Sequence, residues 1–209
     1  ESMRSAIEPR GPDANGIYYK DGVGLAHTRL SIIDVSSSGN QPMWNEDMTA
    51  AIVFNGEIYN FRELKEELFL EKSRVFKSKT DTEVILSLYD QYGEKCFEKL
   101  NGMFAIAIYD FRLNKLILAR DRFGKKPLYW GIFDGTLMFG SELKALFKHP
   151  LFKKEIDLKS LNKYLTYEYV PTPDSIFKGV HKLEPASYMS FSGGEIKKKI
   201  FWNTAFDTK

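Results

Sequence analysis

Apolar positions along this chain fall in short runs separated by glycine, proline and Asx residues, a pattern of strands more than of long helices. The runs are Val23 to Ala26, Leu30 to Ile33, Ala50 to Phe54, Met103 to Tyr109, Lys115 to Ala119, Leu128 to Phe133 and Thr136 to Phe139. Met103 to Tyr109 is apolar almost throughout, which predicts a central strand covered on both faces. Asp134-Gly135 predicts a tight hairpin, and Leu183 to Phe191 with Glu195 to Trp202 predict another around Ser192-Gly193-Gly194. Helical signals occur at Asn60 to Leu70, Thr80 to Tyr92, Ser141 to Lys148 and Asp157 to Leu165. Thr80 and Glu83 spell a capping box, with Gly93 as the stop. Asn60 can cap the helix that places Phe61, Leu64 and Leu68 on one face. Strands bunched with helices predict α+β layers, with cover on each side of a sheet.

Composition narrows the function classes. With 209 residues and 43% hydrophobic content, the chain can bury a sizeable core. A formal charge of +2 and short, scattered lysine stretches give nucleic acid no footprint. The single cysteine, Cys96, excludes an intrachain disulfide framework and reads as a packing residue in the helical-looking stretch Glu94 to Leu100. His27, His149 and His181 lack partners at ligand spacing, so no metal site is expected. No run of eighteen apolar residues and no signal-peptide pattern occur, so no membrane is expected and the cytoplasm is the default location.

The junction after Ala50 to Phe54 carries the chemistry. A strand that stops at Asn55-Gly56-Glu57-Ile58-Tyr59-Asn60 places a side-chain amide and a glycine N–H side by side, as an oxyanion requires. Asn-Gly also spells the commonest short hairpin turn. Further motifs bear on that choice: Arg10-Gly11-Pro12-Asp13, His27 to Asp34, Lys79 to Val84, Gly102 to Ala105, Arg120 to Tyr129, Ser141 to Leu146 and Tyr169 to Gly179. In this order and spacing they resemble the glutamine amidotransferase domain of glutamine-dependent asparagine synthetases. That domain is a class II amidotransferase of the N-terminal-nucleophile hydrolase superfamily.

The resemblance implies a four-layer α/β/β/α sandwich of two antiparallel sheets, with the active site at one end. Residues 1–150 would form the amidotransferase domain, and 151–209 the link to an ATP-dependent synthetase domain. Asn55 Nδ2 and the Gly56 N–H would form the oxyanion hole. Arg29 would take the glutamine α-carboxylate through its planar fork. Asp81 would take the α-ammonium, Glu57 would face the substrate, and the backbone of Leu30, Ser31, Ile32 and Ile33 would line the pocket. Arg10 to Asp13 would shape a turn, and Arg120 to Tyr129 would be structural or face the synthetase domain.

One departure matters. Members of that family begin with a cysteine whose thiol is the nucleophile, whereas this chain begins Glu1-Ser2-Met3-Arg4 and nothing in it matches that cysteine. About one strand and one helix of the family pattern are also missing ahead of Arg10, so the chain reads as truncated at its start. It is therefore expected to be inactive alone, although its parent protein would be an enzyme. Ser192-Gly193-Gly194 lacks the residues of a pyrophosphate loop, so no cofactor is expected here. ATP and Mg are expected in the missing synthetase domain. The expected partners are glutamine and that domain, which receives ammonia; a homodimer stays open. The alternatives are a paralogue that aminates another carboxylate and a nonenzymatic glutamine-binding module.

Overall fold

The computed structural model describes residues 1–72 and 75–204. Its elements run α1 (Ser2–Ser5), β1 (Ala14–Lys20), β2 (Val23–Arg29), β3 (Met43–Trp44), β4 (Ala50–Ile58), α2 (Phe61–Lys72), α3 (Asp81–Tyr92) and α4 (Cys96–Lys99). They continue as β5 (Gly102–Asp110), β6 (Lys115–Arg120), β7 (Tyr129–Phe133), β8 (Thr136–Gly140), α5 (Leu143–Leu146), α6 (Leu158–Tyr167), β9 (Val180–Lys182), β10 (Ser187–Ser192) and β11 (Glu195–Ile200).

Six strands form one antiparallel sheet in the order β11-β10-β6-β5-β4-β3. Its centre is apolar on both faces because both faces are covered. Ala50, Ile52, Phe54, Ile106 and Ile108 pack with Leu64 and Leu68 of α2 and with Val84, Ile85 and Leu88 of α3. The opposite face carries the smaller Ala51, Val53, Ala105 and Ala107, together with Leu116 and Leu118. These meet Leu25 of β2 and Trp130 of β7, so small side chains let a second β layer approach. Beyond that layer, Met138 and Val180 pack on Ala145 and Leu146 of α5. The layers are thus α/β/β/α, the α+β sandwich expected. The second β layer consists of two separate ladders, β1-β2 and β8-β7-β9.

Several boundaries differ from expectation. β4 does not stop at Phe54: Asn55, Gly56, Glu57 and Ile58 continue in register opposite Ala105, Phe104, Met103 and Gly102. Pairing with β5 overrides the turn preference of Asn-Gly, so the hairpin alternative fails. Leu30 to Ile33 is not a strand. The β1-β2 ladder ends at the Ala14↔Arg29 rung, and without a partner the run lies exposed, Ile32 at 74%. Thr80 caps α3 by accepting the Glu83 N–H at 3.4 Å, but the reciprocal half of the capping box is absent. Glu83 reaches further back, to the N–H groups of Lys77 and Ser78. Asn60 ties the loop after α4 by bonding Lys99 O and the Asn101 N–H. The segment after residue 150, read as a link, contributes β9 to the small sheet and β10 and β11 to the large one. Residues 205–209 of that segment lie outside the described residues.

Candidate functional site

The candidate site lies where β4 runs beyond its edge neighbour. β5 covers one edge of β4 along its whole length, but β3 covers the other only at Ala51 and Ile52. Backbone groups of alternate residues point to the same edge of a strand. On the uncovered edge the Phe54 N–H donates to Gln41 Oε1 at 2.6 Å, and the Ile58 N–H donates to Asp81 Oδ2 at 3.0 Å. The Gly56 N–H, midway between them, points to that same edge. A Cβ at Gly56 would lie 2.1 Å from the Met103 carbonyl, so no other residue fits without moving β5.

Asn55 shares its face with Ala51 and Val53, toward the second β layer. Its Nδ2 is buried and has no hydrogen-bond partner among the described residues. A buried donor left unpaired costs about 1–3 kcal/mol, and native folds keep few of them. Asn55 and Gly56 therefore present two adjacent donors, one on the inner face and one at the open edge.

Asp81 opens α3 and is 5% exposed. It forms no ion pair with any described residue, and burial raises its carboxyl above the ordinary range. Negative charge on Glu57 raises it further, which places both carboxylates at the same end of the sandwich. Glu57 itself is half-buried on β4.

Arg29 ends β2 and is 7% exposed. Its Nη1 donates to Ser36 O at 2.7 Å and Asn40 Oδ1 at 2.9 Å, and its Nη2 donates to Asp34 O. The guanidinium thus supports the loop that follows it. Two of its five N–H groups, on Nε and Nη2, have no acceptor among the described residues. Gly39 closes over this group, since a Cβ there would lie 2.2 Å from Arg29 Nη2. The Asp34 carboxylate accepts the N–H groups of Ser36 and Lys79. Bonding to Ser36, then to Lys79, holds its pKa down to about 2. Asp34 thereby joins the Arg29 loop to the residues just before α3.

The backbone of Leu30 to Ile33 is less free than the sequence suggested. The Ser31 N–H donates to Asp13 Oδ2 at 2.8 Å, while Leu30 and Ile32 are exposed. The Arg10-Gly11-Pro12-Asp13 turn is the reason: Arg10 bonds Glu142 at 2.8 Å, and a Cβ at Gly11 would lie 2.3 Å from the Thr28 carbonyl. Within Arg120 to Tyr129, the first two side chains hold the loop together. The Arg120 guanidinium donates to the carbonyls of Gly124, Lys126 and Leu183, and Asp121 accepts the N–H groups of Phe104, Phe123, Lys125 and Lys126.

Other groups stand apart from this chemistry. Cys96 is fully buried in the helix-side core, and burial pushes its thiol far above the ordinary range. Among the described residues no cluster of three or more His, Cys, Asp or Glu could hold a metal, and no helix is long and apolar enough to cross a membrane. A cavity of about 220 Å³ beside Arg120, Tyr129 and Lys182 contains none of Arg29, Asn55 or Asp81. Sequence reasoning missed Gln41 and Asn40, gave Asp13 a place in a turn without its bond to Ser31, and set His27 aside. Their roles depend on contacts between distant segments, which leave no local signal.

Comparison with known proteins gives one consistent result. A family model described as a glutamine amidotransferase domain matches residues 1–202, through the end of β11. Asparagine synthetase [glutamine-hydrolyzing] 1 of Bacillus subtilis (strain 168) is 40% identical over 99% of this chain and 32% of its own length. Putative asparagine synthetase [glutamine-hydrolyzing] 2 of Methanocaldococcus jannaschii is 38% identical over 96% of this chain and 42% of its own length. The chain thus spans about a third to two fifths of these relatives. In fold it is similar to the glutamine phosphoribosylpyrophosphate amidotransferase of B. subtilis, with TM-score 0.67 and 19% identity over 97% of this chain and 46% of that one.

Proposed function

Given that the chain belongs to the glutamine amidotransferase domain family, we propose that it is the glutamine-handling part of an asparagine synthetase. In this reading the full-length protein hydrolyses glutamine to glutamate and ammonia, for the ATP-dependent amidation of aspartate in a synthetase domain outside these residues, and Glu1–Lys209 alone lacks the nucleophile. ATP and Mg would be bound there and not here. The observation that carries the reading is the buried, unpaired Asn55 Nδ2 next to a glycine N–H aimed at an open strand edge.

Glutamine presents one group to each element of the site. Its α-carboxylate accepts the two uncommitted N–H groups of Arg29. Its α-ammonium donates to Asp81, whose buried carboxylate has no described cation, with Glu57 adding negative charge. Its carboxamide oxygen sits between Asn55 Nδ2 and the Gly56 N–H. When a thiolate adds to the carboxamide carbon, the C=O π electrons move to that oxygen, and both donors bind it more strongly than in the ground state. Collapse of the tetrahedral adduct expels ammonia, once its nitrogen is protonated, and leaves a thioester. Water then adds through a second oxyanion at the same donors and releases glutamate. The thiol has no counterpart in Glu1–Lys209, where Cys96 is buried in the core.

The test is Asn55→Ala in the full-length protein. Glutamine-dependent turnover should fall roughly 10²- to 10³-fold, the usual effect of removing one oxyanion donor, while ammonia-dependent synthesis persists. An equal loss of both activities would make Asn55 a folding residue and remove the main support for the reading.

A further inference from the structure

We propose that Gln41 and His27 are positioning residues that clamp the backbone of Phe54, thereby setting the oxyanion donors of Asn55 and Gly56 while keeping that strand edge open. The inference rests on the reading of Asn55 and Gly56 given above.

The backbone of Phe54 faces an edge with no strand on it, yet both of its polar groups are bonded. Its N–H donates to Gln41 Oε1 at 2.6 Å, and its carbonyl accepts from His27 Nε2 at 3.1 Å. Because a carbonyl only accepts, the His27 ring carries its proton on Nε2 and leaves Nδ1 bare. Nδ1 is buried without a partner among the described residues. Burial also lowers the pKa of the ring to about 4, so it is neutral and holds this tautomer near pH 7.

A third strand on that edge would satisfy Phe54 equally well. It would also pair with the next outward-facing residue, because residues i and i+2 turn their N–H and C=O groups to the same neighbour. That residue is Gly56. Two side chains can satisfy Phe54 alone and leave the Gly56 N–H free for a substrate oxygen. His27 also acts on the peptide plane that enters Asn55, since the carbonyl it binds belongs to the Phe54–Asn55 peptide.

The clamp is itself held from both sides. Gly16 pairs with His27 across the β1-β2 ladder, and a Cβ at Gly16 would lie 2.1 Å from the Gln41 carbonyl. One rung of that ladder therefore places both residues. On its far side, Gln41 Nε2 donates to Thr82 Oγ1 at 3.3 Å, and Thr82 follows Asp81. The clamp thus joins the oxyanion donors to the helix start that would bind the ammonium.

The test uses three variants of the full-length protein. His27→Phe and Gln41→Met each remove a bond while keeping bulk, and His27→Gln keeps an N–H at similar reach. Loss of one positioning hydrogen bond predicts a fall in kcat for glutamine hydrolysis of about five- to tenfold. The glutamine KM should stay within about twofold and ammonia-dependent turnover should be unchanged, since the bond acts on the transition state. His27→Gln should recover most of the loss. Wild-type kcat in both His27→Phe and Gln41→Met, with Asn55→Ala still impaired, would overturn the clamp and leave the oxyanion assignment standing. Parallel loss of ammonia-dependent turnover, or failure of His27→Gln to restore kcat, would reduce both residues to fold stability and overturn the inference. If His27→Phe yields no folded protein, His27→Gln decides: near wild-type kcat supports the clamp, and a tenfold loss refutes it.

Discussion

Asp81→Asn should make the protein more stable and less able to use glutamine. Burial raises the Asp81 pKa, so the folded state binds its proton more tightly than the unfolded chain does. The ionised form therefore opposes folding above that raised pKa, and the opposition fades as pH falls through it. Asparagine removes the charge and keeps an oxygen for the Ile58 N–H, which Asp81 accepts at 3.0 Å. A carboxylate in the first turn of α3 also gains about 0.3–1 kcal/mol from the helix dipole, which the variant forfeits. Where the burial penalty exceeds that loss, the variant melts at a higher temperature than wild type at neutral pH. The functional effect has the opposite sign. A substrate ammonium deprived of its buried carboxylate loses roughly 3 kcal/mol, near a hundredfold in glutamine kcat/KM. Thermal melting and steady-state rates with glutamine and with ammonium read both effects on the full-length protein. A variant that melts lower and keeps wild-type glutamine kcat/KM would show that Asp81 is only a helix-start residue.

Three further outcomes are expected. Chain Glu1–Lys209 should release no ammonia from glutamine above a no-protein control, and glutamine turnover that disappears in Cys96→Ser would contradict the buried, proton-retaining state of that thiol. Because the His27 pKa falls from 6.5 to about 4 on folding, the stability it confers is complete above pH 6.5 and lost as pH drops toward 4. That is about 3 kcal/mol, visible as a steeper acid loss in urea melts of wild type than of His27→Gln; equal slopes would refute it. Arg29→Lys keeps charge but loses the planar fork, so glutamine KM should rise with ammonia use intact, and its effect should be non-additive with Asp81→Asn on glutamine kcat/KM. Strict additivity would mean that one substrate does not bridge the two residues.

The parts of the fold with local causes were legible. Asp134 and Gly135 adopt φ of 47° and 77°, the left-handed pair that a two-residue hairpin requires, and their sequence announces it. Thr80 and Gly93 bound α3 where their chemistry places them. Asp21 and Gly22 form the same kind of turn, yet β1 went unread because none of its residues is fully buried and its apolar Ile17 and Tyr19 are exposed. Leu30 to Ile33 shows the converse error. Its composition suits a strand, but a strand exists only where a partner does, and the ladder with β1 ends at Arg29. Residue type and motif order pointed to Arg29, Asn55, Gly56 and Asp81. They could not show that Arg29 also carries its own loop, or that residues 27 and 41 meet the backbone of residue 54.

Three of the groups left incomplete in the described fold have needs that one ligand could meet. Asn55 Nδ2 needs an acceptor, Asp81 needs a cation, and two N–H groups of Arg29 can still bind an anion. Other buried carboxylates are completed within the fold: Asp110 accepts Tyr89 and Arg112, and Asp121 accepts four backbone N–H groups. If the three groups were random defects, their needs would have no common solution. One amino acid with an amide side chain supplies an acceptor, a cation and an anion, each of the required sign. The shared position of two of them argues further, since Asn55 and Asp81 both join β4, one as a strand residue and the other through the Ile58 N–H. An unpaired amide donor and a buried carboxylate without a described cation, both held at the same end of β4, are the arrangement the proposed glutamine site requires.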